Sequence, residues 1–188
     1  MMAFDFLRGF LREPGQVASV VPSSRFLEQR IATASNLAAA RRVVELGPGT
    51  GGTTRAFLRH LGPDAQLLSI EVSSYFHELL GQIDDPRYIN HLGSADEIAE
   101  ILKLNAMGQP DVIISGIPFS KIPEAVATRV VQSVRDNLAE GGRFVAYQFR
   151  ADVAVITNPI MGRPASCSLE LRNIPPMRVY SWLKTQNF

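Results

Sequence analysis

From Arg42 onward, short apolar runs alternate with stretches whose apolar residues recur every three or four positions, the pattern of a parallel sheet with crossover helices. The runs predict strands over Val43–Leu46, Leu67–Glu71, Tyr88–Leu92, Asp111–Ser115 and Phe144–Phe149. The first helix between them is predicted from Thr53 to Leu61, where Gly62-Pro63 ends it. A second starts at a Ser73 or Ser74 cap and stops before Asp85-Pro86. Ala95–Leu104 carries Ile98, Ile101 and Leu102 on one face, and Pro123 is well placed to open a helix running to Leu138. After the fifth strand the pattern changes. Ser168–Arg172 and Arg178–Leu183 read as two strands joined through Asn173-Ile174-Pro175-Pro176, closing the sheet with an antiparallel element. The expected fold is α/β, with a mostly parallel sheet and a C-terminal antiparallel strand.

The first 40 residues precede that core, which divides the chain into a segment 1–40 and a domain 41–188. At about 100° per residue, Ala3, Phe4, Phe6, Leu7, Phe10 and Leu11 fall in one arc of a helix, opposite Asp5, Arg8, Gly9, Arg12 and Glu13. Such a helix either docks on the domain's own core or lies in a lipid interface. In the second case Phe4, Phe6, Leu7, Phe10 and Leu11 enter the acyl region, with Arg8 and Arg12 near anionic headgroups. Both hold if the helix undocks.

The candidate chemistry begins where the first predicted strand breaks into Glu45-Leu46-Gly47-Pro48-Gly49-Thr50-Gly51-Gly52 and a helix follows. Glycines there let backbone approach a ligand, and the helix N-terminus offers unpaired N–H groups. Gly47, Gly49 and Gly52 satisfy the dinucleotide pattern, and Glu71 follows about 20 residues after Gly51, at the end of the next strand. Glu45 argues against NAD, since an uncompensated carboxylate beside a pyrophosphate repels it. S-adenosylmethionine carries a cationic sulfonium and ammonium and no phosphate, so the loop reads as a methyl-donor site, with Glu71 accepting from the ribose hydroxyls. The alternative is a turn serving strand–helix packing alone.

Composition adds limits. With 46% hydrophobic and 20% charged residues in 188, the chain has ample material for one core. A net charge of +1 gives no general reason to bind a polyanion, although from Gly141 onward Arg143, Arg150, Arg163, Arg172, Arg178 and Lys184 face only Asp152 and Glu170. Cys167, the single cysteine, excludes an internal disulfide and is expected as a small buried apolar group. His60, His77 and His91 have no metal-ligand spacing, and no metal is expected. No apolar run reaches the length of a signal-peptide core or a spanning helix, so a soluble or peripheral protein is expected.

In an α/β sheet, ligands collect at the carboxyl ends of the strands. The site is therefore expected from Glu45–Gly51, Glu71-Val72, Gly93–Asp96, Ser115–Phe119 and Tyr147–Arg150. Ser94, Ala95 and Asp96 could meet an adenine, Asp96 alternatively capping the next helix. Ser115-Gly116-Ile117-Pro118-Phe119 is a turn whose carbonyls and ring could face a target nitrogen. Tyr147 is the candidate to orient that nitrogen, and Arg150 and Arg172 are candidates for a phosphate. Packing for the tyrosine and solvation for the arginines are the plain alternatives.

Val20-Val21-Pro22-Ser23-Ser24, Val44–Gly51, Ile70-Glu71-Val72-Ser73, Gly116-Ile117-Pro118 and Arg172-Asn173-Ile174-Pro175-Pro176 together resemble the bacterial phospholipid N-methyltransferases. The resemblance spans nearly the whole chain, and its specificity rests on the Val20–Ser24 and Arg172–Pro176 pieces. It implies a Rossmann-like class I methyltransferase sheet and methylation of phosphatidylethanolamine, or of ornithine lipids in relatives. It also implies S-adenosylmethionine as donor, S-adenosylhomocysteine as product, and a cytoplasmic protein on the inner face of the membrane. By it, Glu45, Gly47, Gly49, Gly51 and Glu71 bind the donor, and Thr50, Val72, Ser94, Ala95, Asp96 and Ser115 are expected beside them from their place at the strand ends. Ser23, Ser24, Gly116, Ile117, Pro118, Tyr147, Arg150 and Arg172 serve the acceptor. The rRNA adenine dimethyltransferases share the glycine loop and the I-P-F turn. Their turn starts with an Asn where this chain has Gly116, and they carry a C-terminal helical RNA domain that is not expected here. No nucleic-acid partner is therefore expected. A soluble small-molecule methyltransferase and a donor-binding protein without catalysis are the other classes to weigh.

Overall fold

The computed structural model of the chain describes residues 23–185, so the predicted amphipathic helix with its phenylalanines lies outside the described residues. In chain order the elements are α1 (Arg25–Ser35), β1 (Arg42–Leu46), α2 (Gly52–His60), β2 (Gln66–Glu71), α3 (Ser74–Leu80), β3 (Tyr88–Leu92) and α4 (Ile98–Leu104). They continue with β4 (Val112–Ser115), α5 (Glu124–Asn137), β5 (Arg143–Gln148), α6 (Asp152–Met161), β6 (Ser166–Glu170) and β7 (Met177–Leu183). The strands form one sheet in the order β3-β2-β1-β4-β5-β7-β6. Neighbours among β1 to β5 are parallel, and β7 runs antiparallel to both β5 and β6. The fold is the Rossmann-like α/β arrangement expected, mostly parallel with antiparallel strands at the C-terminal end.

Helices cover both faces, which is why the central strands read as unbroken apolar runs. Val43 and Val44 are successive residues of β1 that point to opposite faces, and both are fully buried. Val43 joins Leu27 and Ile31 of α1 and Phe57 of α2 in one apolar cluster. Val44 joins Ile98 and Ile101 of α4, Val130 of α5 and Val153 of α6 in the other. Trp182 of β7 anchors the second cluster between the rings of Phe144 and Tyr180, each with its centroid 5.5 Å away, while its indole N–H donates to Asn158 Oδ1 at 3.1 Å. The strand order reverses at β1, which pairs with β2 on one side and β4 on the other. A crevice at the carboxyl ends of these strands is the consequence.

Several elements differ from the sequence pattern. Ala95–Leu104 opens as a 3-10 turn, Ala95–Glu97, before α4. β5 stops at Gln148, leaving Phe149 outside it, and β6 lies two residues earlier than predicted. Cys167 is exposed, correcting the expectation of a buried thiol, because β6 is an edge strand that, among the described residues, has no neighbour on its outer side. Helices α1 and α6 were not apparent from periodicity. α1 buries Leu27, Ile31, Ala32 and Ser35, a narrow stripe of which only two are large, and α6 contains Pro159 among β-branched residues that read as strand.

Candidate active site

The glycine loop is held from below and from one side. Gly47 and Gly51 sit at φ +68° and +80°, which L side chains rarely adopt, and a Cβ at Gly51 would come within 2.8 Å of Leu80. Gly47 N–H donates to the Ile70 carbonyl (3.0 Å), and Gly116 N–H donates to that of Leu46 (2.9 Å), tying the loop to both flanking strands. Glu71, 3% exposed at the end of β2, accepts from Gly49 N–H through Oε2 (3.1 Å) and from Ser73 N–H through Oε1 (2.9 Å). Burial raises its pKa above the ordinary carboxylate value, and the backbone donors work against that rise. Thr50 is exposed at the loop tip and Val72 is half-buried beside Glu71.

Glu45 is turned inward, beneath the loop. Its carboxylate is fully buried and accepts three hydroxyl hydrogen bonds, from Thr53 (2.7 Å), Thr54 (2.7 Å) and Ser69 (3.0 Å). Desolvation dominates and raises its pKa; the hydroxyls pull the other way. Its chemistry here is to bind the start of α2 to β2. The sequence reading missed the three hydroxyl residues, although Thr53-Thr54 directly after the glycines was the available signal.

Around the glycine loop lie the other expected groups. Ser94 is buried and caps the Ala95–Glu97 turn in a capping box with Glu97, and its hydroxyl also donates a short bond to Asp96. Asp96 additionally faces Arg129 at 3.5 Å. Ser115 is buried, its Oγ accepting from Ile117 N–H at 3.3 Å. The Gly116–Phe119 turn is stapled to β5 by Gln148, whose amide nitrogen donates to the Ile117 carbonyl (2.7 Å) while its oxygen accepts from Phe119 N–H (3.3 Å). Gln148 was also missed; an amide at the end of an otherwise apolar strand marked it. The Ile117 carbonyl thereby accepts one hydrogen bond and keeps its second lone pair.

Tyr147 crosses from β5 to Gly116. A Cβ on Gly116 would lie 2.5 Å from the Tyr147 hydroxyl and 3.0 Å from the Gly47 carbonyl oxygen. The space left by the missing side chain is therefore filled by the phenol. Burial first, and the nearby Glu45 carboxylate second, push its pKa well above the ordinary phenol value. It is a neutral hydroxyl at physiological pH, fit to hydrogen-bond and unfit to serve as a base.

The expected acceptor residues lie further along the same edge. Ser24 N–H donates to Asn173 Oδ1 at 2.8 Å, while the Ser24 hydroxyl caps α1 by accepting from Leu27 N–H (3.2 Å). Asn173 Nδ2 donates in turn to the Pro175 carbonyl (2.8 Å). Ser24 and the Arg172–Pro176 turn, 149 positions apart in sequence at this bond, are thus joined directly. Arg172 is held by Glu170, to which its Nε donates at 2.8 Å, and its guanidinium lies 4.0 Å from the Phe26 ring centroid. Glu170, buried, also binds Arg30 of α1 at 2.8 Å. Arg150 is exposed and paired with Asp152 at 3.0 Å, and Ser23 is half-buried. The structure keeps these residues on one edge without bringing Arg150 or Arg172 to the loop. Among the described residues no group of His, Cys, Asp and Glu is placed to hold a metal ion, and no helix is long and apolar enough to cross a membrane.

No protein-family profile matches the chain. It is 29% identical over 147 residues to an ornithine lipid N-methyltransferase of Singulisphaera acidiphila, covering 75% of this chain and 74% of that protein. Among solved structures, N-methyltransferase NodS from Bradyrhizobium japonicum WM9 superposes with a TM-score of 0.69 at 12% identity, over 86% of this chain and 96% of that one. An RNA methyltransferase from Salinibacter ruber, in complex with S-adenosyl-L-homocysteine, gives 0.61 at 15% identity over 89% and 96%. These likenesses, together with the strand order and the glycine loop, establish that the chain has the fold of the class I methyltransferases.

Proposed function

We propose that the chain is an S-adenosylmethionine-dependent N-methyltransferase whose acceptor is the primary amine of a membrane lipid, with phosphatidylethanolamine the first candidate. The observation that carries the donor half is the loop tied by Glu71 at the carboxyl edge. A Cβ at Gly49 or Gly52 would meet nothing within 4 Å, so the loop's outer side is open to a ligand. Each Glu71 oxygen accepts one N–H and keeps a lone pair for a ribose hydroxyl. Glu71, accepting from the loop at Gly49, is the acid placed to disfavour a pyrophosphate and favour a cationic donor, while Glu45 lies beneath the loop with its acceptor capacity answered by three hydroxyls. The lipid half is supported by the 29% identical relative and by the arginines of the last third of the chain. That relative supports an ornithine lipid as the second reading. In either case the protein would work peripherally, at the inner face of the membrane.

When bound, S-adenosylmethionine supplies a methyl group activated by its sulfonium and leaves as S-adenosylhomocysteine. What this chain's residues contribute is placement. Glu71 and the loop amides hold the donor, and Ser94 and Asp96 shape the turn beside it. The Tyr147 phenol, lying against Gly116, gives the incoming nitrogen a hydrogen-bond partner. The amine must arrive neutral, since an ammonium has no lone pair, and it sheds a proton as the new N–C bond forms.

The test is label transfer from methyl-labelled donor, using the full-length chain with phosphatidylethanolamine, ornithine lipid and rRNA in parallel, resolved by thin-layer chromatography. Label is expected in mono- and dimethylated phosphatidylethanolamine. Label in ornithine lipid alone changes the substrate within the reading; label in RNA alone overturns it.

A further inference from the structure

The carboxyl edge that carries the glycine loop continues past β5 onto β7 and β6. Gln148 is paired with Arg178, and Arg178 with Leu169, so the end of β5, the start of β7 and the end of β6 lie side by side. Large apolar side chains stand out from this corner: Phe149 is 58% exposed, Leu171 69% and Ile174 78%, with Leu169 at 45% beside them. Single exposed apolar residues are ordinary on a protein surface, but a group of four on one edge is not.

Guanidinium groups surround them. Arg25 and Arg172 both lie over the Phe26 ring, at 4.8 and 4.0 Å from its centroid, while Arg178 reaches the Phe149 carbonyl at 3.4 Å. The acids nearby are Glu170, buried beneath Arg30 and Arg172, and Asp152, paired with Arg150. Arg25 and Arg178 make no ion pair among the described residues, so the corner presents positive charge. Apolar tips within a cationic rim suit an anionic lipid–water boundary, where the tips pass below the headgroups and the guanidiniums meet phosphates. A second copy of the same face would set arginine against arginine.

We propose that the β5–β7–β6 corner is a membrane-docking surface, with Leu171 and Ile174 entering an anionic bilayer and Arg25 and Arg178 at its headgroup phosphates. The proposal rests on the lipid-acceptor reading and adds to it a docking surface outside the predicted N-terminal helix. Docking here would lay the edge bearing Tyr147 and the glycine loop along the headgroup layer.

The test is flotation of the full-length chain with vesicles of phosphatidylglycerol and phosphatidylcholine. Leu171→Asp with Ile174→Asp should lower the vesicle-bound fraction at least tenfold, and Arg25→Glu with Arg178→Glu should do so most strongly at low salt. Thermal melting and donor affinity should stay at wild-type values, as should methylation of detergent-dispersed lipid. Either pair floating like wild type overturns the proposal, as does a concentration-dependent dimer that the Leu171/Ile174 pair abolishes. Should that pair unfold, the arginine pair decides. Absence of lipid methylation by the wild type with flotation intact would instead sink the acceptor reading and leave the docking surface standing.

Discussion

Around the Gly47–Gly52 loop, polar groups are buried and answered: three hydroxyls close on Glu45, and two backbone amides close on Glu71. At the Arg172–Pro176 turn, on the same edge of the sheet, the exposed residues are Leu171, Arg172, Ile174 and Pro176, with Asn173 alone tucked in. The first region is built to hold one geometry, since each of its groups would be left unpaired by movement. The second leaves its apolar and cationic groups to whatever meets them. The loop is a region that fixes its own groups in place, and the turn is one that keeps its groups available to an outside surface.

The strongest challenge to this contrast is Glu45→Ala. It strips three buried hydroxyls of their acceptor and opens a cavity, so chemical denaturation should register a loss of roughly 3 kcal/mol or more. Unchanged stability would mean that the loop is not held from below. Glu71→Ala should cost the donor about 1–3 kcal/mol of binding free energy in calorimetry, through lost charge-assisted hydrogen bonds. Tyr147→Phe belongs to the boundary between the two regions. It should lower turnover by about tenfold, the worth of one hydrogen bond near 1.4 kcal/mol, while donor affinity stays put. Equal loss of both would assign the phenol to donor packing.

The smallest effect concerns the tie between α1 and β6. Arg172, followed by Arg30, holds the Glu170 carboxyl down from its ordinary 4.5 to about 2. A depressed acid stabilises the fold above its unfolded pKa and loses that contribution as pH falls through the folded value. The tie should therefore be intact above about pH 4.5 and fade toward pH 2. Hydrogen exchange at the start of α1 should quicken over that window, and Glu170→Gln should remove the pH dependence. Screening at the exposed Arg172 keeps the gain small.

The parallel strands were readable because burial on both faces leaves them continuously apolar, and the loop was readable because only glycine suits its backbone. α1 and α6 were not. Their burial is set by what lies beneath them, and the narrow stripe of α1 and the Pro159 of α6 hide the helical period. The partners of Glu45 escaped for a related reason: Thr53, Thr54 and Ser69 are ordinary hydroxyl residues until the fold gathers them about one carboxylate. Cys167 was misjudged because a strand's place at the edge of a sheet leaves no mark in its own residues.

The bond from Ser24 N–H to Asn173 has a practical corollary. It is a mechanical anchor: a pull applied at Ser23 reaches the β6–β7 turn through the Ser24 amide. A load on Ser24 thus falls on the Arg172–Pro176 turn and bypasses the Gly47–Gly52 loop. Attachment at the other face of the sheet, near Lys103 of α4, loads neither and is the better handle for single-molecule or biosensor work.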